Sequence, residues 1–169
     1  MDEPALVIEP LGSHHNRAQF SCNEPALDTY LQHQASQDVR RRVAQVFVAV
    51  GDSPERIAGY YSLSAASFDK AELPIELAKR LPRYPVPAAV LGRLAVDHRY
   101  QGRRIGESLL LDAARRVLRA SAALAVYAIV VDAKNERARS FYERYGFRSF
   151  PNTRRRLFLT LETFIKAGL

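Results

Sequence analysis

Cysteine occurs once, at Cys22, so no intramolecular disulfide can form and the framework of a small secreted domain is excluded. The opening MDEPALVIEP is acidic and lacks the basic-then-apolar order of a signal peptide. The longest apolar run, AALAVYAIVV, is too short to cross a bilayer. A cytoplasmic protein without membrane contact is therefore expected. Internal repeats, low-complexity tracts and linkers are missing as well, so the 169 residues, 47% of them apolar, read as one domain spanning 1–169. Lysine is scarce: only Lys70, Lys79, Lys134 and Lys166 stand among 25 basic residues, which leaves 21 arginines against 18 acids and a formal charge of +7. The planar guanidinium suits bidentate phosphate contacts. On composition alone two readings stay open, a polyanionic ligand or partner and a plainly solvated basic surface.

What is present is an alternation of strand-like and helix-like segments. ALVIEPL reads as a short strand, and a helix is expected from Asn23, with Pro25 in its first turn and Leu27, Tyr30 and Leu31 on one face. QVFVAV and RIAGYYSLSAASF, joined by GDSPE, read as a hairpin. KAELPIELAKRLPRYPVP carries Pro74, Pro82, Pro85 and Pro87 around one short helical candidate, IELAKRL. It is an irregular excursion, either a substrate lid or a long connection. Then come the strand AAVLGRLAV, a helix over roughly 106–119, the strand ALAVYAIVV, and the helix NERARSFYERYG, stopped by Gly146. FRSF and RRLFLTL close the chain as strands, giving an α/β protein built on one sheet.

The stretch HRYQGRRIGESLLLDA joins the strand-like AAVLGRLAV to a helix through a glycine-containing turn. Unpaired N–H groups and the positive end of a helix dipole converge at such a point, which makes it an anion site. The plainer alternative is a tight turn and nothing more. Neither GxxxxGK[ST] nor GxGxxG is present. Gln101, Gly102 and Gly106 instead fit Q/R-x-x-G-x-G/A, with Arg104 at the middle glycine. Together with LGRLAVD before it and VDAKNERARSFYERYGF after it, the stretch resembles the pyrophosphate loop of the GNAT superfamily of acetyl-CoA-dependent N-acetyltransferases. The resemblance runs from Ala89 to Phe147. It implies a GNAT acyltransferase fold, a mixed, mostly antiparallel sheet flanked by helices. Acetyl-CoA would be held by Leu94, Ala95 and Val96 of the strand, by Gln101, Gly102, Arg103, Arg104, Ile105 and Gly106 of the loop, and by Asn135 and Phe141. Arg104 must tolerate a backbone angle usually left to glycine, and its guanidinium gains a phosphate contact in return.

Acyl transfer from a thioester to an amine needs a neutral amine, a stabilised oxyanion and a proton for the departing thiolate. A phenol of pKa about 10 can donate to a thiolate whose thiol titrates near about 8.5. By resemblance Tyr142, in the FYxxxGF helix, is that acid. Read from periodicity alone, Ala138, Phe141, Tyr142 and Tyr145 form a packing stripe instead. Asn135 is equally a helix N-cap. LGRLAV holds no carboxylate or histidine, and His14 and His15 read as solvated loop residues, so no base is evident. An α-amine of pKa about 7.7 needs little help to deprotonate, unlike a lysine near about 10.4, so the acceptor is expected to be an α-amine. No metal is called for.

The N-terminal half carries a second resemblance. FSCNEPALDTYLQHQASQD, RRRVAQVFVAV and AGYYSLSAAS are similar to the GNAT toxins of bacterial toxin–antitoxin pairs, with Asn23 where many members have glycine. That family acetylates the α-amine of the amino acid on aminoacyl-tRNA, which blocks translation, and is neutralised by a ribbon-helix-helix antitoxin. Oligomers are common in it, which implies a homodimer as one option, although no self-complementary face is legible here. Arg40, Arg41 and Arg42, Arg80 with Arg83, Arg93, and Arg154, Arg155 and Arg156 are the candidates to grip tRNA phosphates, or else a solvated surface. Arg93, inside an apolar strand, meets either tRNA or an internal carboxylate. Two other functions stay open: a GNAT enzyme acting on a small amine or a protein N-terminus, and a non-catalytic RNA- or antitoxin-binding module.

Overall fold

The computed structural model describes residues 6–168, so Ala5 of the ALVIEPL segment, the residues before it and Leu169 lie outside the described residues. In chain order the elements are β1 (Ile8–Pro10), α1 (Pro25–Thr29), a π turn (Tyr30–Gln34), α2 (Ala35–Arg40), β2 (Gln45–Val50), β3 (Ile57–Phe68), α3 (Ile75–Ala78) and β4 (Val86–Val96). They continue with α4 (Ile105–Ala120), β5 (Ala128–Asp132), α5 (Glu136–Arg144), β6 (Arg148–Phe150), β7 (Thr153–Thr160) and α6 (Leu161–Lys166). The strands lie in the order β1-β2-β3-β4-β5-β7-β6. The pairs β1/β2, β2/β3, β5/β7 and β6/β7 are antiparallel, while β4 and β5 are parallel. A parallel pair needs a crossover, and α4 supplies it. This is the mixed, mostly antiparallel sheet with flanking helices that the sequence implied.

Two compact units share the chain, one made of the residues up to Ser64 with Gly92–Ala113, the other of Ala65–Leu91 with Ala114 onward. In the first, the β2/β3 hairpin pairs from Gln45 with Leu63 to Val50 with Ile57, as GDSPE predicted. Its core packs Phe20, Tyr30, Leu31, Ala35, Val46, Val48, Ile57, Tyr60 and Ala95. Burying side chains of this size stabilises by about 1.5–3 kcal/mol each, before the entropy of ordering them is subtracted. The first helix begins at Pro25, two residues later than predicted. Glu24 is its N-cap residue and Pro25 takes the first turn, where its missing N–H costs nothing. Asn23 adopts φ +68°, the left-handed region that asparagine tolerates better than most residues and that favours the glycine the resemblance implied there. Within the predicted helix the π turn intervenes, with the Ala35 N–H reaching back five residues to the Tyr30 carbonyl.

In the second unit Phe68, Leu73, Val86, Ala88, Ala128, Val130, Phe150 and Phe158 form the core. The proline-rich excursion is irregular, as expected. Its helical candidate shortens to the four residues of α3, preceded by a capping box in which Asp69 accepts from the Ala71 N–H and Glu72 accepts from the Asp69 N–H. β5 starts at Ala128, five residues after the predicted ALAVYAIVV segment begins, because the N–H of Leu124 still bonds back to the Ala120 carbonyl. RRLFLTL is a strand only as far as Thr160. The Thr160 hydroxyl then accepts from the Thr163 N–H and starts α6, a helix the sequence reading missed.

Candidate active site

The candidate residues divide between the two units. In the first, β4 delivers its C-terminal end to the glycine loop. The parallel ladder with β5 runs from Ala88 opposite Ala128 to Leu91 opposite Val131, and β4 continues beyond it to Val96. Of the expected strand contacts, Ala95 is buried while Leu94 and Val96 are half-buried. Asp97 follows, 1% exposed. Its carboxylate accepts from the Ser21 N–H (3.0 Å), the Arg99 N–H (2.9 Å) and the Arg99 Nε (3.3 Å). Burial alone would raise its pKa, but these donors win and hold it below the usual carboxylate value. Asp97 thus ties the start of the loop to the segment around Ser21.

The loop then turns into α4. The Gln101 amide donates to the Val96 carbonyl at 3.3 Å and closes the turn. Gly102 has φ +83°, and a Cβ placed there would meet nothing within 4 Å. The glycine is therefore required by its backbone angle, and its outer side is open to a ligand. Arg104 holds φ +59° at the position of the motif glycine. An L-residue there costs about 1–2 kcal/mol, so the loop keeps its geometry at an energetic cost while presenting a guanidinium. Arg103 lies 5.3 Å from the Tyr100 ring centroid, and the Tyr100 hydroxyl donates to Asp52 at 3.0 Å. α4 starts at Ile105, and Gly59 lets it approach closely: a Cβ on Gly59 would sit 2.8 Å from the Ala95 carbonyl oxygen and 2.9 Å from Leu109. An open left-handed backbone, the start of a 16-residue helix and two exposed arginines form a donor set that fits a pyrophosphate.

Elsewhere in this unit the guanidinium of Arg93 stands 3.5 Å above the Tyr30 ring centroid. The sequence offered tRNA or a carboxylate as its contact, and the contact within the chain is aromatic. Arg40, the last residue of α2, and Arg41 and Arg42 after it are exposed and make no ion pair among the described residues. His14 is exposed as expected, but His15 is 4% exposed and not solvated. Its Nδ1 accepts from the Gly12 N–H at 2.9 Å, so its Nε2 carries the proton and donates to Glu9 at 2.8 Å. Glu9, His14 and His15 converge closely enough for a metal, but a ring whose Nδ1 accepts cannot donate to a supporting acceptor while ligating through Nε2.

In the second unit Asn135 caps α5, its side-chain oxygen accepting from the Ala138 N–H at 2.8 Å. The capping reading therefore holds, and the amide NH2 stays available to a ligand. Tyr142 is 8% exposed, with ring contacts to Phe141 and Phe147 at 5.3 and 5.5 Å. Burial pushes its phenol up to about 12. No described residue hydrogen-bonds its hydroxyl, so the donor is unspent. Packing and an available donor coexist in one side chain, whereas Tyr145 is only half-buried at the C-cap. Gly146, at φ +94°, ends the helix as predicted. Arg80 and Arg83 are exposed. Arg154 is held by both Glu136 oxygens, at 3.1 and 3.3 Å, Arg155 by the Lys134 carbonyl at 3.2 Å, and Arg156 by Glu72 at 3.3 Å. Sequence reasoning passed over Asp97, Tyr30 as an arginine platform, and Tyr100; of these only Asp97, a lone acid directly after an apolar strand, left a signal.

Residues 42–149 match the acetyltransferase (GNAT) domain. The chain belongs to the GNAT family. It is 36% identical to the tRNA-acetylating toxin of Mycobacterium tuberculosis over 85% of this chain and 84% of that protein. Among solved structures this GNAT chain is similar to AtaT complexed with acetyl-methionyl-tRNAfMet, with a TM-score of 0.90 and 28% identity over 98% of this chain and 100% of that one. It is also similar to a mutant AtaT toxin bound to the C-terminus of the antitoxin AtaR and acetyl-CoA, with a TM-score of 0.81 and 26% identity over 96% and 98% of the two chains. Among the described residues of the GNAT chain no helix is long and apolar enough to cross a membrane.

Proposed function

We propose that this GNAT chain acts in the cytoplasm as a translation-blocking toxin that moves acetyl from acetyl-CoA to the α-amine of aminoacyl-tRNA and is neutralised by an antitoxin. One observation carries the reading: the 36% identity to a tRNA-acetylating toxin extends over most of both chains, N-terminal half included. The whole of residues 1–169 is read as one catalytic domain.

Acetyl-CoA supplies an acetyl group already activated as a thioester. The Gln101–Gly106 loop and the α4 N-terminus bind its pyrophosphate, with Arg103 and Arg104 adding charge. The backbone of Leu94, Ala95 and Val96, past the end of the β5 ladder, orients the extended arm, and Asn135 and Phe141 contribute an amide donor and an apolar face. The acceptor amine attacks the carbonyl carbon, the new C–N bond forms, the C–S bond breaks, and the amine proton leaves to water. Tyr142 donates to the departing sulfur. A phenol at about 12 is a weaker acid than a thiol near about 8.5, so Tyr142 serves chiefly as the hydrogen-bond donor that stabilises charge as it develops on sulfur. The exposed Arg40, Arg41 and Arg42 and Arg80 with Arg83 are best placed to take tRNA phosphates. Arg154 and Arg155 would first have to give up partners within the chain.

The test is transfer of labelled acetyl to a charged total-tRNA pool, with uncharged tRNA, free amino acids and Tyr142→Phe alongside. Label confined to charged tRNA and lost in the variant is the expected result. Label on free amino acids instead would overturn the assignment.

A further inference from the structure

Arg93 differs from the other candidate arginines in how closely a ring holds it, at 3.5 Å from the centroid against 5.3 Å for Arg103 on Tyr100 and 5.1 Å for Arg156 on Phe150. With its guanidinium carbon 3.5 Å above the Tyr30 centroid, the plane of the fork is fixed on one side. No carboxylate or carbonyl among the described residues accepts from it, so its five donors are unspent. Tyr30 is fixed in turn. It is 3% exposed, its hydroxyl donates to Asp38 at 2.8 Å, and its ring lies nearly parallel to Tyr60 at 6.4 Å. The Tyr60 hydroxyl is bound to the Leu27 carbonyl at 2.7 Å. Tyr30 opens the π turn, and wide turns of this kind are frequent where a side chain is aimed for function.

A planar cation stacked on one face, half-buried and with every donor unused is a pre-set bidentate receptor for a phosphate. We infer that Tyr30 is a positioning residue that holds Arg93 ready for a phosphodiester of the charged tRNA. This rests on the proposed function, and the coenzyme's own phosphates are the competing source of the same chemistry. Loss of the stack loosens the fork without removing its charge, and so it weakens tRNA engagement while leaving coenzyme binding untouched.

The experiment measures KM for charged total tRNA and for acetyl-CoA, with the salt dependence of each, in the wild type, Arg93→Ala, Arg93→Lys, Tyr30→Phe, Tyr30→Leu and the Tyr30→Leu/Arg93→Ala double variant. Tyr30→Leu is expected to raise the tRNA KM about five- to tenfold. Arg93→Ala should do at least as much and lower the salt slope by about one charge. The double variant should match Arg93→Ala alone, because the two changes remove one device. Tyr30→Phe, which keeps the ring, should stay within about threefold of wild type. If Tyr30→Leu fails to fold, Arg93→Lys decides: it keeps the charge, loses the planar fork, and should raise the tRNA KM at constant acetyl-CoA KM. Additive single effects, an Arg93→Lys protein indistinguishable from wild type, or a change in the acetyl-CoA KM instead would overturn the inference. A wild type that acetylates charged tRNA while these variants behave like it removes this inference alone. A wild type that leaves charged tRNA unlabelled removes the proposed function with it.

Discussion

Tyr142 packs its ring and leaves its hydroxyl unspent, and both properties can be tested separately. Tyr142→Phe keeps the ring, so its melting temperature should stay within a few degrees of wild type, while kcat falls by about a hundredfold or more, measured as acetyl transfer at saturating substrates. With the phenol raised to about 12, the donor stays protonated across the working range. The rate should therefore climb with pH as an α-amine near about 7.7 deprotonates, then hold level past about pH 10. A descending limb between pH 8 and 9 would contradict this assignment. Asp97 makes a different prediction. Its folded pKa lies below its unfolded value, so its contribution to stability is complete above about pH 4 and is lost as pH falls through the folded value. Asp97→Ala leaves the Ser21 and Arg99 N–H groups without this acceptor and should cost about 2–4 kcal/mol in urea unfolding at neutral pH. The acid-induced part of unfolding should shrink in the same variant. Tyr142 was legible in the chain because its neighbours in FYxxxGF travel with it. The Ser21 partner of Asp97 was not, since Ser21 lies far away in sequence and only the fold brings it within reach.

Arg104 sets the balance for the loop as an element. Arg104→Gly relieves a left-handed arginine but adds chain entropy to the unfolded state, so stability should rise by no more than about 1 kcal/mol. Affinity for acetyl-CoA should fall in the same variant, by calorimetry, as a phosphate contact is lost. Arg42 stands in a similar position: at φ +61° it ends α2, its N–H bonding to the Val39 carbonyl and the next N–H, of Val43, to the Asp38 carbonyl. Glycine is the usual residue for that cap, and an arginine takes its place here. Most strands and the two long helices were legible from their apolar period, and for α5 from the glycine stop at Gly146. α6 was hidden because LETFIK continues an apolar strand without a break, and only the Thr160 hydroxyl marks the change. The π turn leaves no trace in composition, because Leu27, Tyr30 and Leu31 satisfy an ordinary helical stripe.

For the whole molecule, charge decides the partner. Of 25 basic side chains 21 are arginines, and several on the surface lack an acidic partner among the described residues. Activity on charged tRNA should therefore fall steeply as salt rises from about 50 to 200 mM, whereas acetylation of a small amine, if any, should barely respond. Replacing Arg40, Arg41 and Arg42 together should flatten the slope by about two to three charges, while replacing Arg154, already engaged by Glu136, should change it by less than one. The turn at Tyr30–Gln34 bears on the same surface. A π turn spends one residue more on a revolution than the helix around it, so winding the same residues at 3.6 per turn would rotate everything that follows by about 100°. That single residue works as an angular setting, a phase that fixes which way the arginines after α2 face while Tyr30 stays seated.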